Sequence, residues 1–95
     1  MALKMIKSKK IMASARGENC TLRVSENCQD GETVVGCHLN TPFKGWGMKS
    51  PDIFIVYGCY HCHLLLDSSK VDAEDQLRAL FETQKKLLDK GLIHV

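Results

Sequence analysis

Ninety-five residues, 44% of them hydrophobic and 25% charged, suit a single domain with a small core and exclude a multidomain chain. No apolar run approaches the roughly 18 residues needed to cross a bilayer, so no membrane span or membrane partner is expected. The formal charge of +2 is a poor guide to partners, because four thiolates closing on one Zn²⁺ would cancel it.

The distribution of charge says more. Residues 1–50 carry eight Lys/Arg against four Asp/Glu, whereas residues 51–95 carry five against seven. Lys4, Lys7, Lys9, Lys10 and Arg16 all precede the first acid, Glu18. Such an arm can neutralise phosphates and add a salt-dependent component to nucleic-acid binding; it is equally what a solvated tail looks like.

In chain order, residues 1–15 form a basic, weakly apolar lead without strong periodicity, and Arg16-Gly17 reads as a turn that opens the domain at 16–95. Thr21-Leu22-Arg23-Val24 alternates as a short strand. Gln29-Asp30-Gly31 turns it toward Thr33-Val34-Val35-Gly36-Cys37-His38-Leu39, a second strand, and the two together suggest a β-hairpin. Residues 40–51 hold glycines and prolines around Trp46 and read as an irregular loop before the apolar strand Ile53-Phe54-Ile55-Val56-Tyr57. A short helix from Tyr60 to Asp67 would carry Cys62 and His63. The last element is a longer helix with Asp72 as N-cap, Glu74 and Asp75 in its first turn, lysines in its last and Gly91 at C′. Leu77, Leu80, Phe81, Gln84, Leu87 and Leu88 follow helical spacing and are expected to form one core-facing stripe.

The five cysteines carry the chemistry. Cys59-Tyr60-His61-Cys62-His63 offers metal-grade side chains within one turn, and Cys20 and Cys28 form a second pair upstream. Four cysteines in two pairs point to one closed tetrahedral zinc site. The odd cysteine count and the absence of a secretory hydrophobic region argue for a reduced, cytoplasmic protein rather than a disulfide framework. Cys-x-x-Cys-His is also the haem c attachment signal, but that chemistry requires export.

His38 and His63 remain for other work. A histidine on a strand facing a histidine on a helix is what a metal-dependent phosphodiesterase needs: one imidazole deprotonates water and the other holds a cation against the phosphate. The same residues also fit a plain zinc ribbon, with His38 structural and His63 an alternative zinc ligand.

The order strand-histidine, loop, Pro-Asp-Ile, apolar strand, Cys-x-x-Cys-His, helix resembles the HNH, or ββα-metal, nuclease fold. More closely, Ala15-Arg16-Gly17-Glu18-Asn19-Cys20-Thr21-Leu22-Arg23, Glu32-Thr33-Val34-Val35-Gly36-Cys37-His38-Leu39, Lys49-Ser50-Pro51-Asp52 and Cys59-Tyr60-His61-Cys62-His63 resemble the small prophage-associated nuclease family of the YbcO type. Thr83-Gln84 and the closing Lys90-Gly91-Leu92-Ile93 are similar to that family's carboxy-terminal helix.

The resemblance implies an α+β, zinc-stapled ββα-metal domain with a β-hairpin, a short metal-bearing helix and a longer C-terminal helix. It implies Cys20, Cys28, Cys59 and Cys62 as structural zinc ligands, His38 as general base, and His63 as ligand of a catalytic Mg²⁺ or other divalent cation. Asp52 stands near the motif's central asparagine, where it could orient His38 by accepting a ring proton.

Departures matter too. Many HNH sequences place an acidic metal ligand directly before the base, where this chain has Cys37, a soft ligand poorly matched to Mg²⁺. Leu64-Leu65-Leu66 follows His63, leaving Asp67 as the nearby carboxylate on that helix. Lys44 and Lys49 flank Trp46 in a basic-aromatic loop, and with Arg23 they are candidate nucleic-acid contacts. Expected, then, is a metal-dependent DNA endonuclease, for which a homodimer would suit symmetric cutting of a duplex. The alternative is a non-catalytic zinc module binding nucleic acid or a protein. A thiol redox protein using Cys59 and Cys62 is a third reading, disfavoured by the upstream cysteine pair.

Overall fold

The computed structural model describes residues 9–39 and 52–93, and the candidate contacts Lys44, Lys49 and Trp46 lie outside them. The elements run α1 (Lys9–Ala13), β1 (Val35–His38), a 3₁₀ turn (Asp52–Phe54), β2 (Ile55–Gly58), α2 (Tyr60–Asp67) and α3 (Ala73–Asp89). The two strands pair antiparallel, with helices packed around them, which makes a small α+β domain. Among the described residues no helix is long and apolar enough to cross a membrane.

Helix α1 lies ahead of Arg16, where the sequence suggests that the domain begins. Ile11 and Ala15 are buried in the common core, and Ser14 Oγ meets Tyr57 Oη at 2.7 Å. A Cβ on Gly36 would sit 3.2 Å from both Met12 Cε and Ile55 Cδ1, so the bare glycine lets α1 lie close on the hairpin. One helical turn with so few apolar residues is too short to show a period.

The hairpin is built differently from the expected one. β1 pairs with β2, in the register Val35↔Gly58, Gly36↔Tyr57, Cys37↔Val56 and His38↔Ile55. Residues 21–24 are not a strand: Arg23 has φ +49, which ends any extended run, and the amides of Thr21 and Leu22 both donate to Tyr57 O at 2.8 and 3.3 Å. The segment therefore touches the outer edge of β2 and then bends around the cysteine cluster. A chain that wraps sulfurs can alternate apolar and polar residues just as a strand does.

Helix α2 spans Tyr60–Asp67, as its sequence suggests, with Cys59 as N-cap. It ends on Ser69 at φ +58, with Lys70 N donating to Leu65 O and Ser69 N to Leu66 O, a Schellman closure on a residue that is not glycine. Helix α3 follows Asp72 and closes the same way at Gly91, φ +72, where Leu92 N donates to Leu87 O and Gly91 N to Leu88 O.

Its buried face is rotated from the expected stripe. Ala79, Thr83 and Leu87 are buried, whereas Leu77, Phe81 and Leu88 face outward. Polar anchoring decides this rotation. Thr83 Oγ1 accepts from Tyr57 N at 3.3 Å and meets Thr21 Oγ1 at 2.8 Å, while Gln84 Nε2 donates to Ile53 O at 2.9 Å.

Candidate functional site

Two distant stretches of the chain meet to make a thiol cluster. The Sγ atoms of Cys20, Cys28, Cys59 and Cys62 all lie within 4.8 Å of one another, which positions them to bind a metal ion. Sulfurs on a tetrahedron with metal–sulfur bonds of ~2.3 Å would be about 3.8 Å apart, so the cluster needs only slight contraction to close.

Backbone amides already point at these sulfurs. Cys59 N donates to Cys20 Sγ at 3.4 Å, while Gln29 N and Cys62 N donate to Cys59 Sγ at 3.4 and 3.5 Å. The amides of Ser25 and Val24 donate to Cys62. Burial alone would raise the Cys59 thiol, but hydrogen bonds from the amides of Gln29 and Cys62, joined by those from the Cys62 and Cys20 thiols, together outweigh it and bring it down to about 7. Burial pushes the thiols of Cys28 and Cys62 upward.

Helix α3 clamps the loop that carries Cys20. Arg78 donates from Nη1 to Thr21 O at 2.8 Å and from Nη2 to Leu22 O at 2.6 Å, and also binds Glu82 at 2.8 Å. Arg23, a candidate nucleic-acid contact, forks onto the same Glu82 at 2.8 and 2.7 Å, although half its side chain stays exposed. Hydrogen bonding to Arg23, then to Arg78, holds Glu82 down to about 2 despite some burial. Nothing in the sequence singles out Arg78. Its spacing from Glu82 marks a helical ion pair, but nothing local shows that its fork reaches two carbonyls more than fifty residues away.

The histidines form two further pairs with carboxylates. His38 Nε2 lies 2.8 Å from Asp52 Oδ1, joining the last residue of β1 to the first of the 3₁₀ turn. His63 Nε2 lies 3.4 Å from Asp67 Oδ2, one turn along α2. Among the described residues the four cysteines are the one group of three or more clustered metal-ligand side chains, so the two pairs do not merge into a second such cluster.

Strand alternation sends Cys37 to the face opposite His38. Cys37 is fully buried beside Gly58, with Sγ 3.5 Å from Val35 O, and burial followed by the charge of Asp67 pushes its thiol up to about 12. It is a packing residue of the strand. His61 is half-buried, edge-on to the exposed ring of Tyr60 at 5.4 Å.

No curated protein matches the chain. A solved structure described as "a putative bacteriophage protein" from Escherichia coli K-12 MG1655 is 30% identical; the match covers 84% of this chain and 98% of that one, with a TM-score of 0.63. A family model described as "Putative nuclease YbcO" matches residues 9–91, and the chain belongs to that family.

Proposed function

We propose that this protein is a metal-dependent endonuclease that hydrolyses phosphodiester bonds of DNA in the cytoplasm, with an HNH-like site. The observation that carries this reading is the His38–Asp52 pair at 2.8 Å, in a chain of a nuclease family.

With Asp52 accepting the proton on His38 Nε2, the ring presents Nδ1 as the free lone pair, and Nδ1 takes the proton from the attacking water. Asp52 also stabilises the imidazolium that results. His63 and Asp67, whose Nε2 and Oδ2 lie 3.4 Å apart, would hold the divalent cation. The carboxylate would suit Mg²⁺, and the imidazole also suits Mn²⁺ or a softer ion. When bound, the cation stabilises the charge that develops on the phosphate and the leaving oxygen.

The four thiols are a soft donor set that suits Zn²⁺, which ties the Cys20–Cys28 loop to α2 and fixes the helix that bears His63. Lys44 and Lys49 supply phosphate contacts, with the exposed half of Arg23 beside the thiol cluster.

The test uses zinc-loaded protein and its His38→Ala variant, matched by circular dichroism, on supercoiled and single-stranded DNA with Mg²⁺, Mn²⁺, Ni²⁺ or EDTA. Cleavage that requires added metal and disappears in the variant supports the reading. Salt-sensitive DNA binding without cleavage on any substrate replaces it with the non-catalytic zinc module.

A further inference from the structure

Helix α1 lies on the face of the hairpin that carries the proposed catalytic pair. Gly36 marks that face, because a Cβ there would meet Met12 Cε of α1 and Ile55 Cδ1. Side chains alternate along a strand, so His38, two positions on from Gly36, points to the same side about 7 Å further along β1. Helix α1 also packs against the 3₁₀ turn that begins at Asp52. It therefore stands beside the His38–Asp52 pair.

What this segment shows to solvent is cationic. Ile11 and Ala15 face the core, whereas Lys9, Lys10, Ala13 and Arg16 are exposed. Arg16 also lines an open cleft of about 300 Å³ between α1 and the start of β1, with Met12 and Val35. Among the described residues no carboxylate pairs with Lys9, Lys10 or Arg16. This sets them apart from Arg23, Arg78, Lys85, Lys86 and Lys90, each of which is held by Asp or Glu. Glu18, the first acid after the patch, is taken by Lys86 and Lys90 at 3.8 and 2.6 Å, so it does not neutralise its neighbours. Unpaired cations on a packed element are suited to a polyanion. None of the exposed residues is aromatic, so bases have nothing to stack on and the contact is with the backbone.

We infer that Lys9, Lys10 and Arg16 clamp the phosphate backbone of DNA beside the His38–Asp52 pair, through their side chains and not through the end of so short a helix. The inference rests on the nuclease reading above and names the surface that holds the DNA flanking the scissile bond. Each strand presents a phosphate every ~3.4 Å along the duplex axis, so three cations on one short segment meet two or three of them.

Fluorescence anisotropy on a labelled duplex, between roughly 50 and 200 mM salt, tests this with the full, zinc-loaded chain carrying His38→Ala and no added divalent cation, so that the DNA stays intact. In that parent, Arg16→Ala is expected to reduce the slope of log K against log salt by about 1. Lys9→Ala, Lys10→Ala and Arg16→Ala combined should reduce it by about 2–3, with affinity down about tenfold or more at the lower salt and helical circular dichroism retained. Lys70→Ala removes one charge from an exposed, unpaired position in the turn between α2 and α3 and should leave the slope unchanged. An unchanged slope in the triple variant overturns the clamp, as does an equal fall in Lys70→Ala, which would make the effect one of net charge. Binding of poly-glutamate that the triple variant loses, while its DNA slope stays that of the parent, overturns it in favour of an acidic protein partner. Cleavage by the chain with His38 in place separates the two readings: cleavage with an unchanged slope in the triple variant overturns the clamp alone, whereas the expected fall in slope without any cleavage upholds the clamp and overturns the nuclease.

Discussion

The hydroxyls of Thr21 and Thr83, 62 positions apart in the chain, meet at 2.8 Å with both side chains fully buried. Together they take the outward amide of Tyr57, at 3.0 and 3.3 Å, and so close the outer edge of β2. The contact locks the rotation of α3 and the path of the Cys20 loop at one point. Thr83→Val keeps the shape but removes a partner from buried polar groups, so it is expected to cost about 1–2 kcal/mol in urea unfolding. Thr83→Ser retains the hydroxyl and should cost less; equal losses in the two variants would show that the methyl group, not the hydrogen bond, carries the effect.

The Arg23–Glu82–Arg78 arrangement predicts a pH dependence. Glu82 is lowered from 4.5 to about 2, chiefly by its hydrogen bonds with Arg23. A depressed carboxylate stabilises the fold fully above its ordinary range, and the contribution is lost as pH falls from about 4.5 to about 2. The side chains of Arg23 and Glu82 are 50 and 33% exposed, so solvent screening reduces the effect to about 1 kcal/mol. Glu82→Gln should therefore be less stable than wild type by about that amount at pH 7, with the gap narrowing below pH ~4.5. A gap that stays constant with pH would remove the carboxylate charge as its source.

What the sequence makes legible here is local chemistry, and what it hides is long-range. The two cysteine pairs, the span of α2, and the ends of α3 at Asp72 and Gly91 follow from spacing and capping that a few neighbouring residues determine. The strand assigned to residues 21–24 fails because alternation does not distinguish pairing from wrapping around sulfur. The stripe on α3 is misassigned because Thr83 counts as polar in any pattern, yet it is buried by partners on Thr21 and Tyr57. The His38–Asp52 pair becomes visible only when the register brings the end of β1 to the start of the 3₁₀ turn; its spacing of 14 residues carries no signal on its own.

Gly58 marks the join between the hairpin and the thiol cluster. A Cβ there would stand 2.8 Å from Cys37 Sγ and 3.0 Å from Leu22 Cδ1, both of them buried. Gly58→Ala is expected to destabilise by about 1–3 kcal/mol, because a packed core cannot absorb the extra methyl without moving the strand. The displaced residue is the neighbour of Cys59, so the variant should also release metal at a lower chelator concentration, read with a chromogenic zinc indicator. Loss of stability with unchanged metal retention would mean that the strain is absorbed on the Cys37 side.

Removing the metal should undo more than the cluster. The Cys20 loop and α2 are far apart in sequence, and the four sulfurs supply the contact that joins them. A strong chelator, or Cys62→Ser, is expected to melt α2 and the loop together, seen as loss of helical circular dichroism and a fall in Tm. Cys37→Ser, on a buried thiol outside the cluster, should keep the metal. Metal loss in Cys37→Ser equal to that in Cys62→Ser would place the fifth cysteine among the ligands.

Asp52→Asn separates orientation from folding at the proposed catalytic pair. Asparagine is nearly the same size and can still hydrogen-bond His38, but as a neutral group it neither stabilises the imidazolium nor enforces the proton on Nε2. Cleavage should fall by about 10²–10⁴-fold, with unfolding free energy changed by less than about 1 kcal/mol and DNA affinity preserved. Because Asp52 acts through His38, the loss in Asp52→Asn with His38→Ala should be close to that in His38→Ala alone. Additive losses would mean that Asp52 acts independently, and full activity in Asp52→Asn would remove it from the mechanism and leave His38 to be oriented by other groups.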